Sequence, residues 1–409
     1  MPGRRLDQVD AIRPVKQAGV VSTHVLLFFA PVSAAVASGA AVTLLHVSRD
    51  AFFFVSACML TYAYADLRRA GLGSFYWRRF VSVAIPYLCW TAIYYLYLLP
   101  TAHYASAADA LMAIPHLLYT GYYQLYFLLV IMQFYLVFPL LLMLLRRTKG
   151  HHGLVLAGTV VAQVLLSTGM HWQVLPSGLT GVWAQREAPT YLLYLVGGAL
   201  VAFHLTEADQ WVRRHARLVI ALTIAAALAA EGVYFLAQAG VTTVLGSTDD
   251  PFQPSVIAFN VGAITCVYLA GVALVRPGRS RRTRAAVRSG ADNAYGIYLS
   301  QLLFINALVW LHWERLTATV PWPLLCLVTV VIVYLASAAL TGLLARTPLA
   351  LALTGRKRQP WATLLPRRVD KQETPCQRNV PRGRAPVETL PLDPAGEVVP
   401  QRLPQLADR

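Results

Sequence analysis

The chain carries little charge for its length. Only 13% of its 409 residues are Asp, Glu, Lys or Arg, against about 25% in soluble domains, which argues against a soluble globular protein. The charge that is present is one-sided, with 35 Lys and Arg against 19 Asp and Glu. Such a balance is also typical of nucleic-acid binding. Here the basic residues lie between apolar runs and in the C-terminal region, so no nucleic-acid partner is expected.

Cysteine is scarce as well, and its spacing excludes two kinds of site. None of the five cysteines forms a Cys-x-x-Cys or Cys/His pattern, so neither a disulfide framework nor a metal site is indicated. Four of them lie inside apolar runs, which is typical of buried thiols. The sequence also shows no repeat of readable period and no second folded domain.

Long apolar runs are abundant. Hydrophobic residues make up 57% of the chain, and repeated runs of about twenty residues predict an all-α, polytopic membrane protein. The first run resembles a signal peptide, but Lys16, Ser22, Thr23 and His24 interrupt it, so we interpret it as a retained span. We expect about ten spans, at residues 15–34, 50–67, 80–99, 124–145, 153–170, 190–205, 217–238, 255–275, 293–313 and 321–345.

The basic residues between these spans predict the orientation. Loops on one side hold 20 Lys and Arg, whereas the intervening loops hold only Arg49, Arg186 and Arg315. By the positive-inside rule both termini are cytoplasmic, in a multi-pass protein of the cell membrane. Arg49 and the nearby His46 are therefore expected outside the second span.

The C-terminal region has a different composition. The 55 residues from Gly355 onward hold nine prolines and eleven Lys and Arg, which predicts a disordered cytoplasmic tail. We divide the chain into a transmembrane domain at 1–350 and a tail at 351–409. Arg356, Lys357 and Arg358 either anchor the topology or bind anionic lipid head groups.

Arg13 and His24 are the most informative residues. Eleven residues correspond to about three helical turns, so both side chains lie on one face of the first span. The rise between them is about 16 Å, which places Arg13 at the membrane surface and His24 near mid-bilayer. An ionisable residue at that depth is usually functional; a histidine hydrogen-bonded to a neighbouring helix is the alternative. Asp10 can orient Arg13 as an i, i+3 pair.

Five segments in order resemble the membrane acyltransferases of family 3, over roughly residues 7–345. They are Arg13 and His24 with ten residues between them, the aromatic-rich 50–61, the arginine pair in 74–87, 122–140, and 293–301. The sequence departs from the family pattern at four positions: Ala57 and Cys58 replace Gly-Phe, Ser82 replaces a further Arg, and Gln301 replaces a His. Because an amide cannot act as a base, a proton-relay role at Gln301 is not expected.

The resemblance implies a bacterial O-acyltransferase without a permanently bound cofactor. Its donor would be cytoplasmic acyl-CoA, with an acyl group such as acetyl. Its acceptor would be a hydroxyl of an extracytoplasmic or lipid-linked glycan, glycolipid or glycosylated small molecule. His24 would be the base or a transient acyl carrier, and Arg13, with Arg78 and Arg79, would bind the donor phosphates. The alternative for Arg78 and Arg79 is membrane anchoring.

Contacts with the substrate are assigned to Asp10, Glu187, Tyr126 and Tyr298. Two other classes of function stay open at this point. A transporter or lipid flippase without acyl chemistry would use the same polar residues to line a path. In a structural membrane subunit, substitution of His24 would change only abundance or assembly.

Overall fold

The computed structural model describes residues 7–65, 67, 71–102, 104–176, 181–241, 252–275 and 280–360. All regular elements in these ranges are helical, which confirms the all-α prediction. The α-helices are α1 (Asp7–Asp10), α2 (Ile12–Phe29), α3 (Ala35–Leu45), α4 (Val47–Ala63), α5 (Leu72–Leu98), α6 (Ala107–Thr120), α7 (Tyr126–Arg147), α8 (His152–His171), α9 (Gly181–Ala184), α10 (Leu192–Phe203), α11 (Leu205–Arg214), α12 (Ala216–Gln238), α13 (Val256–Leu274), α14 (Arg281–Trp310), α15 (Trp322–Leu344) and α16 (Ala350–Thr354).

Within the described residues, seven helical segments are long and apolar enough to cross a membrane. An eighth is added if the segment Ala188–Phe203 and α11, which meet at a bend of 100°, count as one span. About ten spans were expected. The first and ninth predicted spans fall on α2 and α14, which are helical but carry many polar residues, such as Lys16 and Gln301.

Helix α4 lies at the centre of the bundle. It packs along α10 and also contacts α2 and α13. The backbones of α4 and α10 approach closely because Gly198 has no side chain: a Cβ there would collide with the carbonyl oxygen of Phe54. Small residues allow this kind of close packing between membrane helices. Aromatic side chains such as Phe53, Phe134 and Phe138 fill the surrounding core.

The most polar long helices pack against each other in the interior. Helix α2 contacts α3, α4, α14 and α15, and its buried residues include Lys16 and Gln17. Polar groups are costly in lipid, so they are expected to face the bundle or a water-filled cavity. This packing explains why α2 and α14 can be buried in the bundle with less apolar sequences than their neighbours.

The chain after α15 folds back onto the bundle. Helix α16 packs on α5, and the Trp90 indole Nε1–H donates to the carbonyl of Leu353 at 3.0 Å. The backbone N–H of Gln359 donates to the backbone carbonyl of Ala345 at 2.8 Å. Residues 351–360, which the sequence assigns to the tail, therefore pack against the transmembrane helices. The rest of that tail, 361–409, lies outside the described residues.

Candidate active site

His24 lines a cavity of about 800 Å³, called here the His24 cavity. Residues of α2, α3 and α4 surround it, together with the region before and at the start of α7. Most of the lining is apolar, and the polar side chains form a limited set. They are Thr23, Ser38, Thr43, His46, Ser48, Arg49, Tyr123, Gln124, Tyr126 and Gln185. A mainly apolar cavity with a few polar groups is typical of a small-molecule site.

The Nδ1 atom of His24 is buried and has no hydrogen-bond partner among the described residues. His24 also lines the cavity, so its ring is close to any molecule that binds there. A neutral imidazole keeps one ring nitrogen unprotonated, which is the state that a general base or a nucleophile requires.

Arg13 lines a different and smaller cavity of about 250 Å³, called here the Arg13 cavity. Its lining includes the cations Arg13, Lys16 and Arg356 and the carboxylate of Asp292. The Arg13 Nη1 lies 3.3 Å from an Asp10 carboxylate oxygen, and Asp10 itself is only 2% exposed. The predicted i, i+3 contact is therefore present, and Asp10 holds the arginine rather than lining either cavity.

Three aromatic rings stand between the two cavities. The rings of Phe52 and Phe127 lie 5.8 Å apart between centroids, and each lies 5.9 Å from the ring of Tyr298. We call these three residues the aromatic partition. Four helices contribute to both cavities, and on each of them the lining changes from one cavity to the other within seven residues. The changes occur between Val20 and Lys16 in α2, Arg49 and Phe52 in α4, Phe127 and Leu128 in α7, and Leu302 and Tyr295 in α14.

Arg78 and Arg79 are adjacent in α5, but their side chains lie in different environments. Arg78 is exposed and lines neither cavity. Arg79 is partly buried, its guanidinium lies 4.8 Å from the ring centroid of Tyr64, and its charge lies close to the hydroxyl of Tyr135. Because Tyr135 lines the Arg13 cavity, Arg79 lies directly behind its wall, whereas Arg78 does not.

Arg49 was predicted in an outer loop, and this prediction is wrong. It lies inside α4 and is 7% exposed, with its Nε 3.4 Å from an oxygen of Asp50. The Asp50 carboxylate also accepts from the Asn260 amide at 2.6 Å. Arg49 further lies 4.2 Å from the ring centroid of Phe252. This buried pair satisfies the general requirement that buried charges have partners.

Two residues that were not predicted for the site, His46 and Arg49, line the His24 cavity. Arg49 also contacts the hydroxyl of Tyr126, a predicted substrate residue in the same wall. The only available sequence signal was the adjacency of Arg49 and Asp50 at the start of an apolar run. The partners that bury the pair lie about 200 residues away in the chain.

The other predicted substrate residues lie in different places. The Tyr298 hydroxyl donates to the backbone carbonyl of Gln124 at 2.6 Å, so its ring belongs to the partition while its hydroxyl fixes a wall of the His24 cavity. Glu187 lies outside both linings, and partial burial raises the pKa of its carboxyl above the ordinary value. Gln301 is fully buried, and its amide has no hydrogen-bond partner in the described part of the chain.

The described residues contain no group of three or more His, Cys, Asp or Glu side chains placed to hold a metal ion. Comparison with known protein families shows that the acyltransferase domain of family 3 matches residues 7–339 of this chain. The chain belongs to this acyltransferase family. No curated protein and no solved structure matches it.

Membership of the family settles the class of reaction. A family 3 acyltransferase transfers acyl groups from a donor to an acceptor. The alternative of a transporter without acyl chemistry is therefore not supported. The candidate membrane helices make it a multi-pass membrane protein. In this acyltransferase the arginine and histidine of α2 line separate cavities on either side of three aromatic rings.

Proposed function

We propose that this family 3 enzyme transfers an acyl group from cytoplasmic acyl-CoA to a hydroxyl of an extracytoplasmic or lipid-linked glycan, glycolipid or glycosylated small molecule. One observation carries the proposal. Arg13 and His24 occupy one helix, yet they line cavities of different character on opposite sides of the aromatic partition. This arrangement suits a reaction whose donor and acceptor arrive from different sides of a membrane.

The charge distribution supports the direction of transfer. The loops on the Arg13 side of the predicted spans carry most of the Lys and Arg, so the Arg13 cavity faces the cytoplasm. Both termini would then be cytoplasmic. Soluble acyl-CoA is a cytoplasmic metabolite with several phosphates, and arginine is the residue best suited to bind phosphate.

The Arg13 cavity supplies the donor end of the site. Arg13 is held by Asp10 and remains 27% exposed at its side chain, so its orientation is fixed while its guanidinium stays accessible. Lys16 lines the same cavity, and its Nζ lies 4.2 Å from the ring centroid of Phe52. A donor whose phosphates bind here would extend its thioester toward the partition.

The His24 cavity supplies the acceptor end. Its hydroxyl, amide and imidazole groups can donate to and accept from sugar hydroxyls. In the reaction, Nε2 of His24 accepts the proton of the acceptor hydroxyl while that oxygen attacks the thioester carbon. The carbon–sulfur bond breaks, and the CoA thiolate leaves and takes up a proton. In the alternative route, Nε2 attacks first and carries the acyl group to the hydroxyl.

The test uses purified protein in nanodiscs with acetyl-CoA and a crude cell-envelope glycan extract. Release of free CoA thiol is followed for the wild type, His24→Ala and Arg13→Ala. We expect release to fall at least about a hundredfold with His24→Ala, as for loss of a general base. Arg13→Ala should mainly raise the KM for acetyl-CoA. The control is His151→Ala, because His151 is exposed and lines neither cavity.

Two outcomes would contradict the proposal. Full thiol release by a correctly inserted His24→Ala protein would remove His24 from the chemistry. Acylated product that depends on His24 but forms without any thiol release would show that the donor is not a CoA thioester.

A further inference from the structure

The segment that follows the last membrane helix forms part of the wall of the Arg13 cavity. Gly355 and Arg356 both line it, beside Arg13 and Lys16. We propose that Arg356 is a further donor-binding residue, which contacts a phosphate of the acyl donor together with Arg13. This inference rests on the proposed function and extends it to a part of the chain beyond the residues 7–339 that match the family.

The position of this segment is fixed by specific contacts on both sides of Arg356. Before it, α16 packs on α5 and Trp90 holds the carbonyl of Leu353. After it, the Arg358 Nε donates to the carbonyl of Arg346 at 2.8 Å. Arg356 is therefore held at the cavity by the fold and does not belong to a freely moving tail.

Gly355 allows the chain to pass the cavity wall closely. Its φ of +66° is in the left-handed region that favours glycine. A Cβ at this position would also overlap the ring of Tyr295 and come within 2.9 Å of the Ser82 carbonyl oxygen. Since Tyr295 and Ser82 both line the Arg13 cavity, the glycine sets the segment directly against that wall.

The hydrogen bonds of Arg356 suit a residue that receives a phosphate. Its Nη1 donates to the backbone carbonyl of Asp292 at 2.6 Å, and its Nη2 lies 3.0 Å from the Asp292 carboxylate. The two side chains are 35% and 33% exposed, and ion pairs this open to solvent are weak. A guanidinium has five N–H donors, so Arg356 can keep its backbone contact and exchange the carboxylate for a phosphate oxygen.

The charges around the cavity favour an anion. Arg13, Lys16 and Arg356 line the cavity together with one carboxylate, that of Asp292, among the described residues. Asp10 pairs with Arg13 from outside the lining, and even with this carboxylate included the basic side chains outnumber the acidic ones. A donor phosphate supplies further negative charge, and arginine binds phosphate through charged hydrogen bonds.

The experiment compares Arg356→Gln with Lys357→Gln in phosphatidylcholine nanodiscs. Lys357 serves as the matched control, because it is the next residue in the chain, is exposed and does not line the cavity. Steady-state thiol release is measured with acetyl-CoA, 3′-dephospho-acetyl-CoA and S-acetylpantetheine. We expect Arg356→Gln to raise the KM for acetyl-CoA about tenfold with little change in kcat, in line with loss of one charged hydrogen bond.

The donor series shows which part of the donor Arg356 contacts. With S-acetylpantetheine, which lacks the nucleotide phosphates, Arg356→Gln and the wild type should have equal KM values. Arg356→Lys should recover part of the loss, because it keeps the charge and loses the planar fork. An unchanged KM for acetyl-CoA, or an equal rise in KM for S-acetylpantetheine, would overturn the proposal.

A lipid phosphate is the other source of the same chemistry. The measurement is repeated with phosphatidylglycerol in the nanodiscs. An Arg356 effect that occurs only with the anionic lipid would assign the residue to a head group and refute donor binding. If the wild type releases thiol from none of the donors, the proposed function fails. CoA binding by microscale thermophoresis then decides on Arg356 alone, and equal Kd values for wild type and Arg356→Gln would overturn its role.

Discussion

Truncation of Phe52 should change which acyl groups the enzyme transfers. Its ring closes the aromatic partition through contacts with Phe127 and Tyr298 at 5.8 and 5.9 Å, and Phe52 also lines the Arg13 cavity. In the proposed reaction the acyl end of the donor passes this point to reach His24. Removal of the ring in Phe52→Ala joins the two cavities and leaves room for a longer acyl chain.

The size of the effect follows from the apolar surface of the acyl chain. Each methylene that becomes buried contributes about 0.8 kcal/mol, which is a factor of about four in rate. Butyryl-CoA has two more methylenes than acetyl-CoA, so the ratio of their kcat/KM values should shift toward butyryl by up to about fifteenfold. The substitution itself should cost about 3 kcal/mol of stability, near the low end for Phe→Ala because the ring faces a cavity.

The assay measures kcat/KM for acetyl-, propionyl- and butyryl-CoA by thiol release. Phe53→Ala is the matched control: Phe53 is fully buried, packs on Phe127 at 5.4 Å between centroids, and lines neither cavity. If either alanine variant does not fold, the two Phe→Leu variants are compared instead. Equal chain-length profiles for the Phe52 variant and the wild type would refute the partition as the limit on acyl size.

Three further predictions concern charge and packing. Arg79→Gln should raise the KM for acetyl-CoA several-fold in kinetic assays, whereas Arg78→Gln should not, because only Arg79 lies behind the Arg13 cavity; equal effects would indicate that both act as membrane anchors. Arg49→Met should lower the free energy of unfolding by about 3–5 kcal/mol, since it leaves a buried carboxylate without its cation, and an unchanged thermal midpoint in detergent would contradict this. Gly198→Ala should destabilise the protein by about 1–3 kcal/mol through collision with α4. Gly197→Ala, whose Cβ would lie at an ordinary van der Waals distance of 4.0 Å from the Phe54 ring, should have almost no effect on the same midpoint.

The sequence was a good guide to features that depend on local order. The periodicity of α2 put Arg13 and His24 on one helix, and the spacing of Asp10 predicted its contact with Arg13. Both inferences need only the geometry of a single helix. The all-α class followed from the length and composition of the apolar runs for the same reason.

Features that depend on tertiary packing were beyond the sequence. Arg49 looked like a loop charge because its neighbours along the chain give no sign of Asn260 and Phe252, which surround it in the fold. Arg356 looked like part of a tail, because only the folded segment shows that it reaches Asp292. The division of the α2 face between two cavities likewise depends on rings contributed by three other helices.

This division gives α2 a role as a fixed spacer. The helix is continuous from Ile12 to Phe29, so Arg13 and His24 stay about 16 Å apart along its axis. A donor bound by its phosphates at Arg13 must therefore present its thioester at one set distance, across the partition. S-acetylpantetheine has no phosphates to bind there, so it should lose kcat/KM but still require His24. If S-acetylpantetheine reacted as efficiently as acetyl-CoA, phosphate binding at Arg13 could not be what positions the thioester, and the spacing along α2 would have no part in the reaction.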